Sequence, residues 1–347
     1  MRFEPYLYSA PCVKKLDKPI LRPEDCPFEA LLVFNAGVCK FNGKYIMAFR
    51  NDYGTDPERF LREKYMPGTN IGIAISDNGI DNWKIREVPI LDSHDVKANS
   101  NRMIGRYYDP RITILEGKPY IYFAADTKWG VQGALAVMDD NFENATFITH
   151  SVPNNRNMVL FPEKIGGYYY RLERPMAMFS EDAFCFDVWC SKSPDLKFWG
   201  ESKCILRGEK APYSNHKIGP AAPPIKTEKG WLATFHAVDY DPSRGKNGWE
   251  NRWPYRYSSG LMLLDLEDPS KVIGIYKDCF IAPELPYETD EGFRQNTIFP
   301  GGMILEDDGE VKIYYGASDT YECVCTAHVD DLVKLCLEHN YLDDHQI

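Results

Sequence analysis

Hydrophobic and polar residues alternate along this chain in a pattern that recurs five times. Each copy begins with a glycine and continues as an aromatic-rich run, at 43–49, 117–123, 167–172, 230–235 and 309–315. Successive copies start about 50 to 80 residues apart, which is the size of a four-stranded blade rather than of a helical repeat. Five blades closed in a ring form a β-propeller, so the pattern predicts an all-β fold.

Two further segments repeat in step with each glycine-led run. A short apolar segment with a polar start precedes it, at 35–38, 109–113, 156–160, 217–220 and 296–299. A third strand-like segment ending in a polar turn follows it, at 73–79, 135–140, 188–195, 262–269 and, most weakly, 325–331. Three strands joined by turns form the meander that a blade requires.

The C-terminal segment 330–339 departs from this alternation. Its apolar residues lie at 332, 333, 335, 336 and 337, and two aspartates stand at its start. That spacing predicts a short helix. We therefore expect a five-bladed β-propeller with a short C-terminal helix, organised as a single domain over residues 1–347.

The repeat also predicts that a set of polar residues lies at one end of the expected ring. Inner strands of a propeller line its axis, and the inner and second strands of a blade are antiparallel, so the start of one and the end of the other meet. The inner strands begin with Asn35, Asp109, Arg156, Lys217 and Asn296. The second strands end near Arg50, Asp126, Arg174, His236 and Asp319. Ordinary strand ends favour Gly, Ser and Asn, so repeated Arg, Lys and His favour a shared polar funnel.

Charge sharpens this interpretation. The 347 residues carry a formal net charge of −11, which argues against nucleic acid and anionic membranes as partners. Arg50, Arg156, Arg174, Lys217 and His236 would nevertheless gather in the funnel. A dianion such as phosphate suits that cluster, because arginine offers a bidentate fork and lysine a point charge.

One carboxylate, Asp109, heads the inner strand of the second blade. A carboxylic acid beside an aromatic wall can hold a raised pKa and donate a proton. An inverting glycosidase also needs a second carboxylate to activate water, whereas a phosphorylase uses phosphate itself as nucleophile. One acid with a basic cluster therefore favours phosphorolysis. The alternative for Asp109 is a turn-forming aspartate before Pro110.

Composition favours a cytoplasmic enzyme without a metal or organic cofactor. No apolar run reaches eighteen residues, and residues 1–6 lack an apolar signal core. The ten cysteines form no CxxC pair and no metal-ligand spacing, so free thiols are expected. Inorganic phosphate is the sole co-substrate implied, and a homo-oligomer is compatible with this composition.

Several motifs occur in an order that resembles a known family. They begin at Phe34 (Phe-Asn-Ala-Gly), Tyr108 (Tyr-Asp-Pro-Arg), Asn155 (Asn-Arg-Asn-Met-Val-Leu-Phe-Pro), Lys217 (Lys-Ile-Gly-Pro), Leu264 (Leu-Asp-Leu-Glu-Asp-Pro-Ser) and Tyr314 (Tyr-Tyr-Gly-Ala-Ser-Asp-Thr). Together they resemble the inverting β-mannoside phosphorylases of glycoside hydrolase family 130, across residues 30 to 335. That family is a five-bladed propeller, which agrees with the repeat.

The resemblance implies roles for the funnel residues. It makes Asp109 the single general acid, acting through the mannosyl 3-hydroxyl. It assigns phosphate to Arg156, Arg174, Lys217, His236 and Tyr257. It assigns the transferred mannose to Asn35, Arg50 and Asp319, and the strand positions add Asp126 and Asn296 as substrate-binding candidates. Hydrolytic relatives lose the basic cradle, which this chain keeps.

Three questions stay open at the level of sequence. An inverting β-mannosidase would use Asp319 or Asp126 as base, and a glycan-binding propeller would need no catalytic Asp109. The acceptor sugar is undetermined among glucose, mannose, N-acetylglucosamine and longer mannosides, as is a β-1,4 or β-1,2 linkage. The Trp-rich loop 239–255 departs from the family pattern, so we expect it to shape the acceptor side.

Overall fold

The computed structural model describes residues 7–63, 66–93, 104–176, 186–211, 213–244 and 253–340. These residues form 22 strands and three α-helices. The first strand along the chain is the short β1 (Lys14–Lys15). Blade one follows and contains β2 (Leu32–Phe41), β3 (Lys44–Tyr53), β4 (Gly68–Ser76), β5 (Lys84–Ile85) and β6 (Leu91–Asp92). Blade two contains β7 (Ile104–Leu115), β8 (Lys118–Thr127), β9 (Gly130–Met138) and β10 (Ala145–His150).

The remaining three blades follow in chain order. Blade three contains β11 (Asn155–Leu160), β12 (Tyr169–Pro175), β13 (Val188–Ser193) and β14 (Gly200–Leu206). Blade four contains β15 (Lys217–Pro220), β16 (Ile225–Lys226), β17 (Trp231–Tyr240), β18 (Tyr255–Leu264) and β19 (Val272–Ile275). Blade five contains β20 (Ile298–Leu305), β21 (Glu310–Ala317) and β22 (Tyr321–His328). The predicted five-bladed propeller is confirmed.

The ring is closed by the two ends of the chain. Strand β1 pairs antiparallel with β22, with Lys14 opposite Thr326 and Lys15 opposite Cys325. The earliest described strand is therefore the outer strand of blade five. This pairing covers an edge of the last blade, which an unpaired strand would leave open.

The glycine-led runs are the middle strands β3, β8, β12, β17 and β21. Most of the aromatic residues on these strands are buried because each blade packs against its neighbours on both faces. Trp231 on β17, for example, is fully buried and meets Phe161 edge to face at 5.3 Å between ring centroids. Burial on both faces explains the continuous apolar runs by which the repeat is recognised.

Helices lie outside the blades. They are α1 (Pro57–Glu63), α2 (Pro286–Thr289) and α3 (Val329–Glu338). The predicted C-terminal helix is α3, which buries Leu332, Val333 and Cys336. The His328 side chain caps it by accepting a hydrogen bond from the backbone N–H of Asp330.

Bulges near the starts of the inner strands aim polar residues at the axis. The register of β2 shifts between Phe34 and Gly37, and that of β7 between Tyr108 and Arg111. Strand β11 shifts in the same way after Arg156. One left-handed residue lies within each shift, with φ of 55° at Asn35, 54° at Asp109 and 59° at Asn157. Asn and Asp tolerate this conformation best among non-glycine residues, and a bulge re-aims their side chains.

Candidate active site

A cavity of about 170 Å³ lies at the end of the ring where the bulged strands begin. It brings together most of the residues predicted from sequence. Those that line it are Asn35, Arg50, Asp109, Arg156, Arg174, His236, Tyr257 and Asp319. The convergence follows from the hairpins, since Phe34 lies opposite Arg50 and Arg156 lies opposite Arg174.

Asp109 is held through one of its two carboxylate oxygens. Its Oδ1 accepts hydrogen bonds from Asn35 Nδ2 at 2.9 Å and from Arg50 Nη1 at 3.2 Å. Its Oδ2 accepts none from the part of the chain that the structure describes. The side chain is 14% exposed, so one oxygen is fixed while the other is available to a ligand.

The pKa of Asp109 corrects the sequence-based expectation. Burial alone would raise it, but Arg50 and Arg111, followed by the Asn35 hydrogen bond and Arg156, lower the pKa below the ordinary aspartate value. The expected raised pKa is therefore wrong. The arginines that surround the carboxylate outweigh the effect of burial.

Arg50 is fixed by a second carboxylate. Its Nε and Nη2 atoms donate to the two oxygens of Asp52 at 2.9 and 2.7 Å, and Arg106 pairs with the same carboxylate at 3.1 Å. Bidentate pairing of this kind restricts the guanidinium to one orientation. Arg50 therefore reaches Asp109 from a rigid support.

Asp319 lies across the cavity and pairs with Arg294 at 3.1 Å. Burial raises the pKa of Asp319, Arg294 and Arg50 lower it, and Asp109 raises it, with a net upward shift. The two cavity carboxylates thus differ, with the pKa of Asp109 lowered and that of Asp319 raised. Such divergence is characteristic of functional carboxylates.

Arg156 and Arg174 line the cavity, and Lys217 lies near them. Arg156 Nη1 donates to the Tyr108 hydroxyl at 3.0 Å, and Arg174 Nη1 lies 2.9 Å from His236 Nε2. Neither arginine nor Lys217 forms an ion pair with a carboxylate among the described residues. The Nε atoms of both arginines are buried without a hydrogen-bond partner. Buried cations without counter-ions favour an anion as ligand.

His236 is neutral in this surrounding. Its Nδ1 lies 3.3 Å from the carbonyl oxygen of Pro220, which can only accept, so Nδ1 carries the proton and Nε2 accepts from Arg174. Burial, then Arg174 and Lys217, hold the pKa of His236 well below its ordinary value. The ring therefore orients Arg174 without adding charge.

Lys217 lies beside this cluster rather than in the cavity lining. Its ammonium is 5.6 Å from the ring centroid of Tyr257. Burial, then Arg174 and Arg156, lower the pKa of Lys217 to about 7. Burial raises the pKa of Tyr257 to about 12, so its hydroxyl stays protonated at neutral pH.

Two other predicted residues also lie outside the cavity lining. Asp126 accepts a hydrogen bond from the Tyr108 hydroxyl at 2.8 Å and so supports Arg156 indirectly. Asn296 has φ 57°, and its carbonyl accepts from the backbone N–H of Tyr257 at 2.9 Å. Both are placed to support neighbours of the cavity.

Sequence reasoning missed several lining residues, which are Arg106, Tyr108, Asn157, Thr297, Phe299, Arg294 and Trp253. Asn157 could have been found, since it occupies the bulge position of Asn35 and Asp109 in the next blade. Trp253 was expected on the acceptor side. It is 8% exposed, stacks 5.9 Å from Tyr257 and donates to Thr297 at 3.1 Å, and its role on the acceptor side stays a prediction. Trp249 lies outside the described residues.

Two structural observations bear on other classes of site. Within the described ranges, no group of three or more His, Cys, Asp or Glu side chains is arranged to hold a metal ion. None of the helices described here has the length and apolar character needed to cross a membrane.

Comparison with known protein families identifies one whose model matches most of this chain. The model of the β-1,4-mannooligosaccharide phosphorylase family, Glyco_hydro_130, matches residues 18–338. The chain belongs to glycoside hydrolase family 130. The membership covers all five blades and confirms both the resemblance seen in the motifs and the expected class of enzyme, a β-mannoside phosphorylase.

Characterised members of family 130 resemble the chain over most of its length. A β-1,2-mannobiose phosphorylase from Thermoanaerobacter sp. (strain X514) is 33% identical over 88% of this chain and 93% of its own. A β-1,4-mannooligosaccharide phosphorylase from Ruminococcus albus is 30% identical over 89% and 86%. The crystal structure of a Listeria innocua β-1,2-mannobiose phosphorylase bound to β-1,2-mannobiose superposes with a TM-score of 0.74, at 25% identity over 93% of this chain and 99% of that chain.

Proposed function

We propose that this enzyme cleaves a β-mannoside by inverting phosphorolysis, giving α-mannose 1-phosphate and the shortened sugar. The observation that carries the proposal is the set of three cations, Arg156, Arg174 and Lys217, which have no carboxylate partner among the described residues. Arg156 and Arg174 line the same cavity as Asp109, a carboxylate with one oxygen free of donors. An anion and a proton donor are the two requirements of this reaction.

Phosphate would bind between Arg156 and Arg174. Each guanidinium offers planar N–H pairs that match phosphate oxygens, and the Tyr257 hydroxyl adds a neutral donor. A phosphate oxygen held there attacks the anomeric carbon while the bond to the leaving oxygen breaks on the opposite face of the sugar. The attacking oxygen supplies the electron pair of the new bond, and the leaving oxygen keeps the pair of the old one. Attack from the opposite face inverts the anomeric configuration.

The leaving oxygen needs a proton, and Asp109 is the proposed source. The arginines hold the pKa of Asp109 low, so the carboxylate is ionised at neutral pH. A bound phosphate dianion would offset the charges of Arg156 and Arg174 and so raise the pKa of Asp109. Phosphate binding thereby favours the protonated acid. The family resemblance routes this proton through the mannosyl 3-hydroxyl.

Asn35, Arg50 and Asp319 are proposed to hold the transferred mannose. All three line the cavity near Asp109. Their amide, guanidinium and carboxylate groups suit sugar hydroxyls, which both donate and accept hydrogen bonds. Asn157 adds an amide whose Oδ1 is buried without a partner, a suitable acceptor for a sugar hydroxyl.

Hydrolysis by water is the second candidate, because the pKa of Asp319 is raised, as a base requires. Asp126 is disfavoured as base because it lies outside the cavity lining. The two reactions differ in product. Incubating the enzyme with phosphate and either β-1,2- or β-1,4-mannobiose, followed by proton NMR, tests the proposal and the linkage together. We expect α-mannose 1-phosphate from at least one substrate, and free mannose as the sole product from both would overturn it.

A further inference from the structure

Arg111, on β7, connects backbone segments of four blades. Its side chain is 4% exposed. Its Nε donates to the carbonyl of Ala221 at 2.7 Å, and Nη1 donates to those of Asn35 at 2.9 Å and Pro110 at 2.6 Å. Its Nη2 lies 3.4 Å from the carbonyl of Pro300. No carboxylate in the described part of the chain forms an ion pair with it, so its donors serve the backbone alone.

Glu322, on β22, is a completely buried carboxylate near Arg111. Its Oε2 accepts the backbone N–H of Ala36 at 3.0 Å, and its Oε1 is buried with no partner among the described residues. Burial raises the pKa of Glu322 to about 8, against the opposing effects of the Ala36 N–H and Arg111. Burying a carboxyl group with one unpaired oxygen costs folding free energy, so the group is expected to have a specific role.

Arg111 and Glu322 form hydrogen bonds with the carbonyl oxygen and the N–H of one peptide group. Arg111 donates to the carbonyl oxygen of Asn35, and Glu322 accepts from the N–H of Ala36, which belongs to the same peptide. Asn35 has the left-handed φ of 55°, a strained conformation that persists only where its surroundings enforce it. The Asn35 side chain donates to Asp109 Oδ1 at 2.9 Å, so the peptide's orientation sets the direction of that hydrogen bond.

Two glycines allow neighbouring strands to approach closely enough for these hydrogen bonds to form. A Cβ at Gly37 would lie 2.7 Å from Arg111 Cα, and a Cβ at Gly301 would lie 2.0 Å from the carbonyl oxygen of Ala36. Both distances are shorter than van der Waals contact. A side chain at either position would clash, so the strands can pack this closely only because both residues are glycine.

We propose, on the basis of the proposed function, that Arg111 and Glu322 are positioning residues for the general acid. They hold the Asn35–Ala36 peptide so that the Asn35 amide engages Asp109 Oδ1 and leaves Oδ2 to carry the proton. Neither residue lines the cavity, so neither is expected to contact phosphate or sugar.

The test compares Glu322→Gln with Glu322→Leu in the full-length enzyme. Glutamine keeps an oxygen that can accept from Ala36, whereas leucine removes it. Turnover, phosphate affinity by calorimetry with inorganic phosphate, and thermal unfolding are measured for each. We expect Glu322→Leu to lower kcat by about tenfold or more through misplacement of the acid. Its phosphate affinity should stay close to wild type, and Glu322→Gln should restore kcat.

A matched control is Glu306→Leu. Glu306 belongs to the same blade, pairs with Lys40 and Lys312, and lies away from the cavity lining. It should lower the unfolding temperature without lowering kcat. Wild-type kcat in folded Glu322→Leu would overturn the inference. So would equal losses of kcat and phosphate affinity in the leucine and glutamine variants, since that pattern reflects general structural damage.

Arg111→Lys provides a second test of the inference if Glu322→Leu does not fold. Lysine keeps the charge but cannot reach several carbonyls at once, so kcat should fall while phosphate affinity holds. If both variants fail to fold, the pair serves the stability of the propeller and the positioning role is wrong. Wild-type formation of mannose 1-phosphate in the same assay tests the proposed function separately.

Discussion

Arg156 and Arg174 lie directly opposite each other in the β11–β12 pair, and neither forms an ion pair with a carboxylate of the described residues. Like charges at directly opposed strand positions destabilise a sheet. Burial and Arg156 together lower the pKa of Arg174 to about 9, which expresses the same cost. The two guanidinium groups therefore form an unfavourable charge pair whose cost falls on Arg174, since, against the effect of burial, Tyr108 and Asp109 raise the pKa of Arg156. An anion between the two groups would relieve this cost.

Arg174→Leu should consequently raise the stability of the phosphate-free protein, by about 1 kcal/mol, as hydrophobic replacements of poorly compensated buried charges often do. It should also abolish the rise in unfolding temperature that phosphate causes in the wild type. Thermal unfolding with and without phosphate measures both effects.

Arg171→Leu is the matched control, because Arg171 is also buried on β12 but pairs with Glu173 at 2.8 Å. Breaking that pair should destabilise the protein by about 3 to 5 kcal/mol. If Arg174→Leu were destabilising to a similar degree, the unfavourable charge pair would not exist as described.

Asp109→Asn should abolish most turnover, leave the fold intact and bind phosphate more tightly than the wild type, because the neutral amide removes a negative charge from beside the anion. The amide keeps the shape of the carboxylate but cannot donate the required proton, and general acid catalysis contributes about 10²- to 10⁴-fold. Steady-state kinetics with β-mannobiose and calorimetry with phosphate check the two halves of this prediction. A variant that retained more than about a tenth of wild-type kcat would remove Asp109 from the role of acid.

Arg156→Ala and Lys217→Ala should each raise the KM for phosphate far more than the KM for the sugar. Each removes a charge-assisted contact of about 1.5 to 3 kcal/mol, or roughly 10- to 150-fold. Initial rates over a grid of phosphate and sugar concentrations separate the two constants. Lys226→Ala is the control, since Lys226 pairs with Glu163 at 2.6 Å on the exposed surface. Equal phosphate KM values in all three variants would locate the anion site elsewhere.

Phosphate affinity should fall as the pH rises above about 7. The pKa of Lys217 is lowered to about 7, and a bound anion favours the ammonium form. Below pH 7 the ammonium is already present and adds no pH dependence. Above it, binding must recruit a proton, so log Kd rises by at most about one per pH unit.

Calorimetry with inorganic phosphate across this pH range measures the slope. Lys217→Arg provides the reference, because its guanidinium stays charged throughout and phosphate's own ionisation affects both proteins alike. The difference between the two slopes isolates the lysine. Parallel slopes would mean that Lys217 does not titrate in contact with phosphate.

Much of the fold is predictable because the middle strands are buried on both faces. β17 reads as a largely apolar run after Gly230, and five glycine-led, aromatic-rich runs at blade spacing specify a propeller. The outer strands give no such signal. β1 and β5 are two residues long and contain lysine, so their pairing depends on the neighbouring strand rather than on their own pattern.

The site is predictable wherever a hairpin brings strand ends together. Arg156 and Arg174 were assigned to one end of the ring from sequence, and they pair directly. The bulges limit this reasoning, because an inserted residue shifts the alternation by one. Asn157 therefore occupies the position that the repeat alone assigns to Arg156.

Electrostatics was the least predictable property. The pKa of Asp109 depends on Arg50, Arg111 and Arg156, which come from three strands in three blades. The environment of Trp253 likewise depends on Arg294, whose guanidinium lies 4.2 Å from the centroid of its ring. Arg111 lies only two positions from Asp109, but Arg50 and Arg156 come from segments distant in sequence, as Arg294 does for Trp253. No local pattern encodes these longer-range contacts.

The central claim is that phosphate, and not water, cleaves the mannosidic bond. The most direct measurement follows β-mannobiose consumption by the wild-type enzyme in phosphate-free buffer and at increasing phosphate, with mannose 1-phosphate and free mannose quantified in each sample. The account predicts negligible consumption without phosphate and one mannose 1-phosphate formed for each bond cleaved. Equal rates with and without phosphate, with two molecules of free mannose from each disaccharide, would contradict it.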